Sequence, residues 1–209
     1  MRFFIDKKFI GYGLLNILVF VNLCSCSEKS VESEYENWEA RNSEYLDKIV
    51  TQAKENADGK WYVYMAYNLG KDTTLYEGNK NYFVYVHQTE EGSGISPEFK
   101  DSVRVHYKGR LIPSVSYSEG LVFDKSYASD TLNEKTDVPT LFSTGGLVTG
   151  FSTALQHMKE GERAMVYIPY YLGYGETTSG KIPGYSTLIF DIKLAKIYKL
   201  GSGESTDWY

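Results

Sequence analysis

Val103-Arg104-Val105-His106-Tyr107-Lys108-Gly109 sets the reading of this chain. Val103, Val105 and Tyr107 alternate with Arg104, His106 and Lys108, the two-residue period of a half-buried antiparallel strand. The strand is expected over 102–112, with its apolar face on a core and its polar face, His106 included, in water. Working outward, 61–67 and 82–87 are rich in aromatic and branched residues and read as strands. Residues 165–168 and 188–198 read the same way, and Leu188, Phe190, Ile192 and Leu194 share one face. A single short helix interrupts the pattern. Phe151, Ala154, Leu155 and Met158 fall at i, i+3, i+4 and i+7, with Gly161 as the expected C-cap. Many antiparallel strands and one amphipathic helix predict an α+β fold, a sheet curled over the helix.

Upstream, residues 34–56 predict a longer helix. Trp38, Tyr45, Ile49 and Ala53 recur near helical spacing, with Leu46 and Val50 beside them. Asp58-Gly59 is the expected stop. Such a helix can dock on the domain or pair with a second copy as a homodimer. The expected layout is a signal segment at 1–25, a tether and N-terminal helix at 26–59, and a folded domain at 60–200. Its core is placed at about 98–198, followed by a flexible tail at 201–209. The net charge of -5 gives a nucleic-acid partner no electrostatic support.

The N-terminus reads as a secretory segment. Arg2, Lys7 and Lys8 lead a mostly apolar run from Phe9 to Leu23, too short for a comfortable membrane span. Leu23-Cys24-Ser25-Cys26 resembles a bacterial lipobox, with Leu23 three residues before Cys26 and the small Ser25 just before it. The resemblance implies cleavage before Cys26 and lipid on its sulfur and amino group. An ordinary secreted protein with a cysteine near its cleavage site is the alternative. Both cysteines lie in this segment, so the remainder can form no internal disulfide and offers no thiol nucleophile. The remainder is acidic, so the acyl chains rather than charge would hold it at a membrane. The expected location is the bacterial cell envelope, lipid-anchored, at the outer membrane.

The C-terminal half carries an ordered series. Phe123-Asp124-Lys125-Ser126 follows the first strand, then Leu147-Val148-Thr149-Gly150-Phe151 and Met158-Lys159-Glu160-Gly161-Glu162. Ile168-Pro169, Gly173-Tyr174-Gly175, Ile182-Pro183 and Ser186-Thr187-Leu188-Ile189-Phe190 complete it. Each fragment alone is weak, but the order resembles the FKBP-type peptidyl-prolyl cis-trans isomerases. That resemblance implies the FKBP-like sheet over one helix and proline-containing polypeptides as partners. It implies no cofactor and no metal. Phe151 would form the pocket floor, where the family usually has Trp. Tyr107, Phe123, Val148, Ile182 and Phe190 would form the walls. The Val148 N–H and the Tyr174 hydroxyl would meet substrate carbonyls, and Asp124 would orient groups beside the twisting amide. Leu147 would line the rim, and Phe142 falls where the family has an aromatic residue nine before the floor position, both as substrate-binding residues. A non-catalytic chaperone or peptide-binding module on the same scaffold is the alternative reading.

Chemistry suits such a site. Rotation about a peptide bond faces a barrier of roughly 18–20 kcal/mol because planarity preserves resonance. An apolar pocket with a few donors placed for the rotated carbonyl lowers that barrier without nucleophile or metal. Any one of these aromatics could instead be simple core packing, and Asp124 could be a turn residue beside Lys125 and Ser126. The intervals Tyr107–Phe123 and Phe123–Phe142 are long for the family. Their polar loops are expected to border the pocket mouth. His87, His106 and His157 have no metal-ligand spacing, and Thr144-Gly145-Gly146 lacks the Lys-Ser/Thr of a phosphate loop.

Overall fold

The structure, a computed structural model, describes residues 34–70 and 73–207. Cys26 and the segment before it lie outside the described residues. Helix α1 (Trp38–Glu55) precedes strands β1 (Trp61–Met65), β2 (Phe83–Glu90), β3 (Ser102–Arg110), β4 (Val122–Lys125) and β5 (Thr140–Ser143). Helix α2 (Thr149–Leu155) follows, then β6 (Arg163–Ile168) and β7 (Leu188–Tyr198). The strands form one antiparallel sheet in the order β1-β2-β6-β7-β3-β4. The outer edge of β3 is shared: β5 pairs with Ser102 to Val105, and β4 with Lys108 to Arg110.

The alternation in β3 has its expected consequence on the inner face. Val103 and Val105 are fully buried, and Tyr107 nearly so. They share that face with Ala164, Val166 and Ile168 of β6 and Leu188, Ile192 and Leu194 of β7. Helix α2 closes the core with Ala154, Leu155 and, just beyond it, Met158. Each large apolar side chain so buried contributes about 1.5–3 kcal/mol. Gly150 permits the close approach of helix to sheet, because a Cβ there would lie 2.3 Å from Ile168 Cγ2.

Two expectations change. Gly161 does not cap the helix, which ends at Leu155 with Gln156 as its cap. At φ 82, Gly161 instead turns the chain into β6 and donates its N–H to the Leu194 carbonyl at 2.7 Å. His106 is not solvated; it is 2% exposed. The reason is the 126–139 loop, which lies over the outer face of β3 rather than beside the inner one. Lys108 Nζ donates to the Asp130 carbonyl, Arg104 donates to that of Pro139, and Glu134 reaches Lys193 of β7. That loop therefore covers the sheet's back. Beyond β7, the Thr206 carbonyl accepts from Arg104 Nε at 3.0 Å and from Nη2 at 2.6 Å.

Helix α1 docks on the outer face of β1 and β2. Its buried stripe is Trp38, Asn42, Leu46, Ile49 and Ala53, with Leu46, Ile49 and Ala53 against Tyr85. Asn42 sits in that stripe as a polar residue 2% exposed. The helix stops at Asn56, before Asp58-Gly59. Asn56 adopts a left-handed conformation at φ 42, and its side chain bonds both the N–H and the carbonyl of Trp61 to start β1.

Candidate active site

A cluster of aromatic rings lies between α2 and the inner face of β3, β5 and β7. Phe151, on the first turn of α2, is 4% exposed and stands edge-on to Phe190 of β7 at 4.9 Å. Phe142 of β5 lies 6.4 Å from Phe151, and Tyr107 of β3 lies 6.2 Å from it at 90°. Phe123 of β4 closes the group against Phe190 at 5.5 Å. Five of the residues expected at the site thus make one connected set of ring contacts, mostly the edge-to-face geometry aromatic pairs prefer.

A β-bulge places Phe123 together with Asp124. Gly109 pairs with Asp124 and Arg110 with Val122, so Phe123 is the extra residue on β4. Strict alternation would send Phe123 and Asp124 to opposite faces. The bulge lets neighbouring residues of one strand serve the same side, which is its usual effect beside functional sites. Phe123 reaches Phe190, and the Asp124 carboxylate accepts from the Tyr107 hydroxyl at 2.8 Å. Gly109 makes room, since a Cβ there would lie 2.5 Å from Phe190 and 2.7 Å from Phe123. Asp124 belongs to a strand and not to a turn.

The Tyr107 phenol is held well above its ordinary pKa. Burial is the main cause, and the bond to Asp124 and the nearby Tyr174 add to it. Tyr107 therefore stays a neutral donor across the physiological range and fixes one oxygen of Asp124. Its backbone is fixed as well: the Tyr107 N–H donates to Ser126 Oγ at 2.9 Å.

The remaining expected residues come from loops. Leu147 and Val148, half-buried, pack against the core just before α2. The Val148 N–H precedes the first helical turn and so has no intrahelical acceptor. Ile182, 6% exposed, belongs to the same apolar core as Tyr107, Phe151 and Phe190. Tyr174 is 43% exposed and stands close enough to Tyr107 to bear on its ionisation, but its ring joins none of the aromatic pairs described above. Cys26, the expected lipid site, lies outside the described residues. Among the described residues no group of three or more His, Cys, Asp or Glu side chains is placed to hold a metal ion.

Sequence reasoning missed Gly109 and the Tyr107–Asp124 bond. The glycine follows directly on the Val103–Lys108 alternation and was visible. Its partner across the sheet was not, because pairing with β4 is not a local property.

Residues 94–195 match the family described as FKBP-type peptidyl-prolyl cis-trans isomerase. A macrophage infectivity potentiator of Trypanosoma cruzi is 39% identical over 118 residues, 56% of this chain and 54% of that protein. The FKBP-type peptidyl-prolyl cis-trans isomerase FkpA of Escherichia coli is 31% identical over 195 residues, 92% of this chain and 65% of that protein. The chain thus spans less than two thirds of the length of these relatives. The crystal structure of FkpA from Escherichia coli aligns with a TM-score of 0.47 at 27% identity, over 84% of this chain and 75% of that one.

Proposed function

We propose that this chain, which belongs through residues 94–195 to the FKBP-type peptidyl-prolyl cis-trans isomerase family, rotates Xaa–Pro bonds in polypeptides at the aromatic cluster. The observation that carries this reading is the set of rings around Phe151 with a polar pair at its edge. A proline ring is the side chain such a surface accepts: apolar, compact and without a backbone N–H. Seated on Phe151, between Tyr107 and Phe190, it leaves the preceding amide at the mouth of the cluster. There the Val148 N–H donates to a substrate carbonyl and the Tyr174 hydroxyl donates to another. Exclusion of water removes the hydrogen bonds that favour the planar, charge-separated amide. The twisted amide, which has lost resonance, is favoured in its place. Asp124, oriented by Tyr107, faces the rotating group. The Phe151 floor lacks the indole N–H usual at this position, which predicts weaker binding of the proline ring.

The setting follows from the N-terminus. Uncatalysed prolyl isomerisation takes roughly 10–100 s, slow enough to limit folding of an exported chain. We assign Cys26 as the lipid attachment point and the outer membrane of a bacterial envelope as the location. A homodimer through α1 would have to form on the side of that helix turned away from the sheet, since Leu46, Ile49 and Ala53 are occupied by Tyr85.

The test is a proline-limited refolding assay with the chain from Ser27 onward. Catalysed refolding at micromolar enzyme, lost in Phe151→Ala, supports the reading; no acceleration by the wild type sinks it. Prolyl-peptide binding without acceleration assigns the same site to a chaperone. Incorporation of labelled fatty acid, abolished by Cys26→Ser, tests the anchor separately.

A further inference from the structure

Helix α1 does more than cover the back of the sheet. The connection from β6 to β7, residues 169–187, carries both Ile182 and Tyr174 and is exposed over 176–181. Its own backbone bonds form local turns: the Gly173 and Gly175 N–H groups donate to the Tyr170 carbonyl on either side of Tyr174, Ser179 and Ile182 exchange N–H and carbonyl, and the Tyr185 N–H donates to the Gly175 carbonyl at 2.9 Å. These turns are local, and the 182–187 end of the loop also needs a hold from outside it.

The missing anchor comes from α1. The Trp38 indole N–H donates to Ser186 Oγ at 2.9 Å, and Ser186 Oγ donates to the Pro183 carbonyl at 2.6 Å, the residue after Ile182. One turn on, Asn42 Oδ1 accepts the Thr187 N–H at 2.8 Å, while its Nδ2 donates to the Trp38 carbonyl at 2.8 Å. Trp38, Asn42, Ser186 and Thr187 are all buried, at 6%, 2%, 3% and 2% exposure. Buried polar groups so enclosed have little access to water as a substitute partner, so each bond fixes a position. Asn42 thus stands in an apolar stripe for a reason: its amide meets the loop. The same end of the helix reaches the β3–β4 loop that leads to Phe123. Glu34 accepts from the hydroxyls of Ser114 and Ser116, and Arg41 Nη2 donates to the Pro113 carbonyl at 3.2 Å.

We infer that Trp38 and Asn42 are positioning residues for prolyl isomerisation: they fix the 169–187 loop so that Ile182 and Tyr174 meet the substrate. The inference rests on the isomerase reading above. Trp38→Phe keeps a ring in the core but removes the donor to Ser186; Asn42→Ala removes the acceptor for Thr187. Ile49→Ala, lower on the same helix against Tyr85, weakens docking without touching the loop and is the control.

The experiment compares the three variants in the full chain, at a temperature where each is folded. One readout is kcat/KM on a prolyl peptide, and the other is hydrogen exchange at the Ile182 and Tyr185 amides. The expected result is a loss of about tenfold in kcat/KM for Trp38→Phe and Asn42→Ala, within the range for a reacting group displaced by a fraction of an ångström. Faster exchange at both amides accompanies it, and Ile49→Ala leaves both readouts unchanged. Wild-type turnover in both loop variants, or an equal loss in Ile49→Ala, overturns the inference and leaves the isomerase reading standing. An inactive wild type overturns the isomerase reading, and the exchange rates alone then decide whether α1 holds the loop.

Discussion

Replacing Gly109 by alanine separates two opposite expectations. Gly109 lies in β3 without a left-handed backbone angle, so alanine fits its conformation. On backbone entropy alone, Gly109→Ala would gain about 0.5–1 kcal/mol. Packing predicts the reverse. The new Cβ would stand 2.5 Å from Phe190 Cε1 and 2.7 Å from Phe123 Cε2 and Cζ. Carbon atoms in contact sit about 3.5–4.0 Å apart, so both rings must retreat by roughly 1 Å. Overpacking of that size costs about 1–3 kcal/mol. In a chain of this length that lowers Tm by about 2–4 °C for each kcal/mol. Phe190 also touches Phe151 at 4.9 Å, so the displacement spreads to the floor of the cluster. A shift near 1 Å at the reacting geometry can cost up to about a hundredfold in rate. Thermal denaturation and a prolyl-peptide assay on the purified variant read both effects. An unchanged or raised Tm together with unchanged kcat/KM would refute the argument that Gly109 is there to admit the two rings.

Other changes probe the polar groups. Tyr107→Phe removes the donor to Asp124, and kcat/KM should fall while peptide binding holds. Equal loss of binding would assign Tyr107 to packing alone. Asp101, 1% exposed, accepts from Lys199 Nζ at 2.8 Å and from the Leu200 and Glu98 amides at 2.9 and 2.7 Å. Burial alone would raise its pKa, but the Lys199 and amide bonds hold it below the usual range. Its stabilisation is present above the unfolded value near 4 and is lost as pH falls through the lower folded value. Asp101→Asn should therefore cost about 2 kcal/mol at pH 7 in denaturant titrations, a gap that narrows in acid. His106 shifts stability in the same direction but in a higher pH range. Burial lowers its pKa, with Lys193 in the same sense, while Glu134 and Asp137 pull it up. The unfolded chain takes up the proton first, so stability declines as pH drops below about 6.5. His106→Leu should flatten that decline between pH 7 and 5, leaving the part due to His157, which burial also lowers.

Strands β1, β2, β3, β6 and β7 and both helices were legible because their periods are local, whereas the four-residue β4 and β5 were not. Val103, Val105 and Tyr107 declare a strand face without reference to anything else, and Leu188 to Tyr198 runs as expected. The aromatic make-up of the ring cluster was legible too, since Tyr107, Phe151 and Phe190 each sit on an apolar face that must turn to the core. Gly161 misled because a glycine in a left-handed turn after a helix looks like a cap whether or not the helix reaches it. His106 misled because alternation says which residues share a face and not what covers it.

What the sequence determined by itself is the longer elements and their buried faces, and so the apolar character of the ring cluster. The tertiary structure decided which strands meet. That pairing puts the bulge at Phe123 opposite Gly109 and so turns Phe123 and Asp124 to the same side. It lays the 126–139 loop over the back of β3, and it brings Asn42 against Thr187 across 145 positions of chain. Each is a contact between segments far apart in sequence. A bulge, a covering loop and a buried amide are specified by their partners, and no period within one segment records who the partner is.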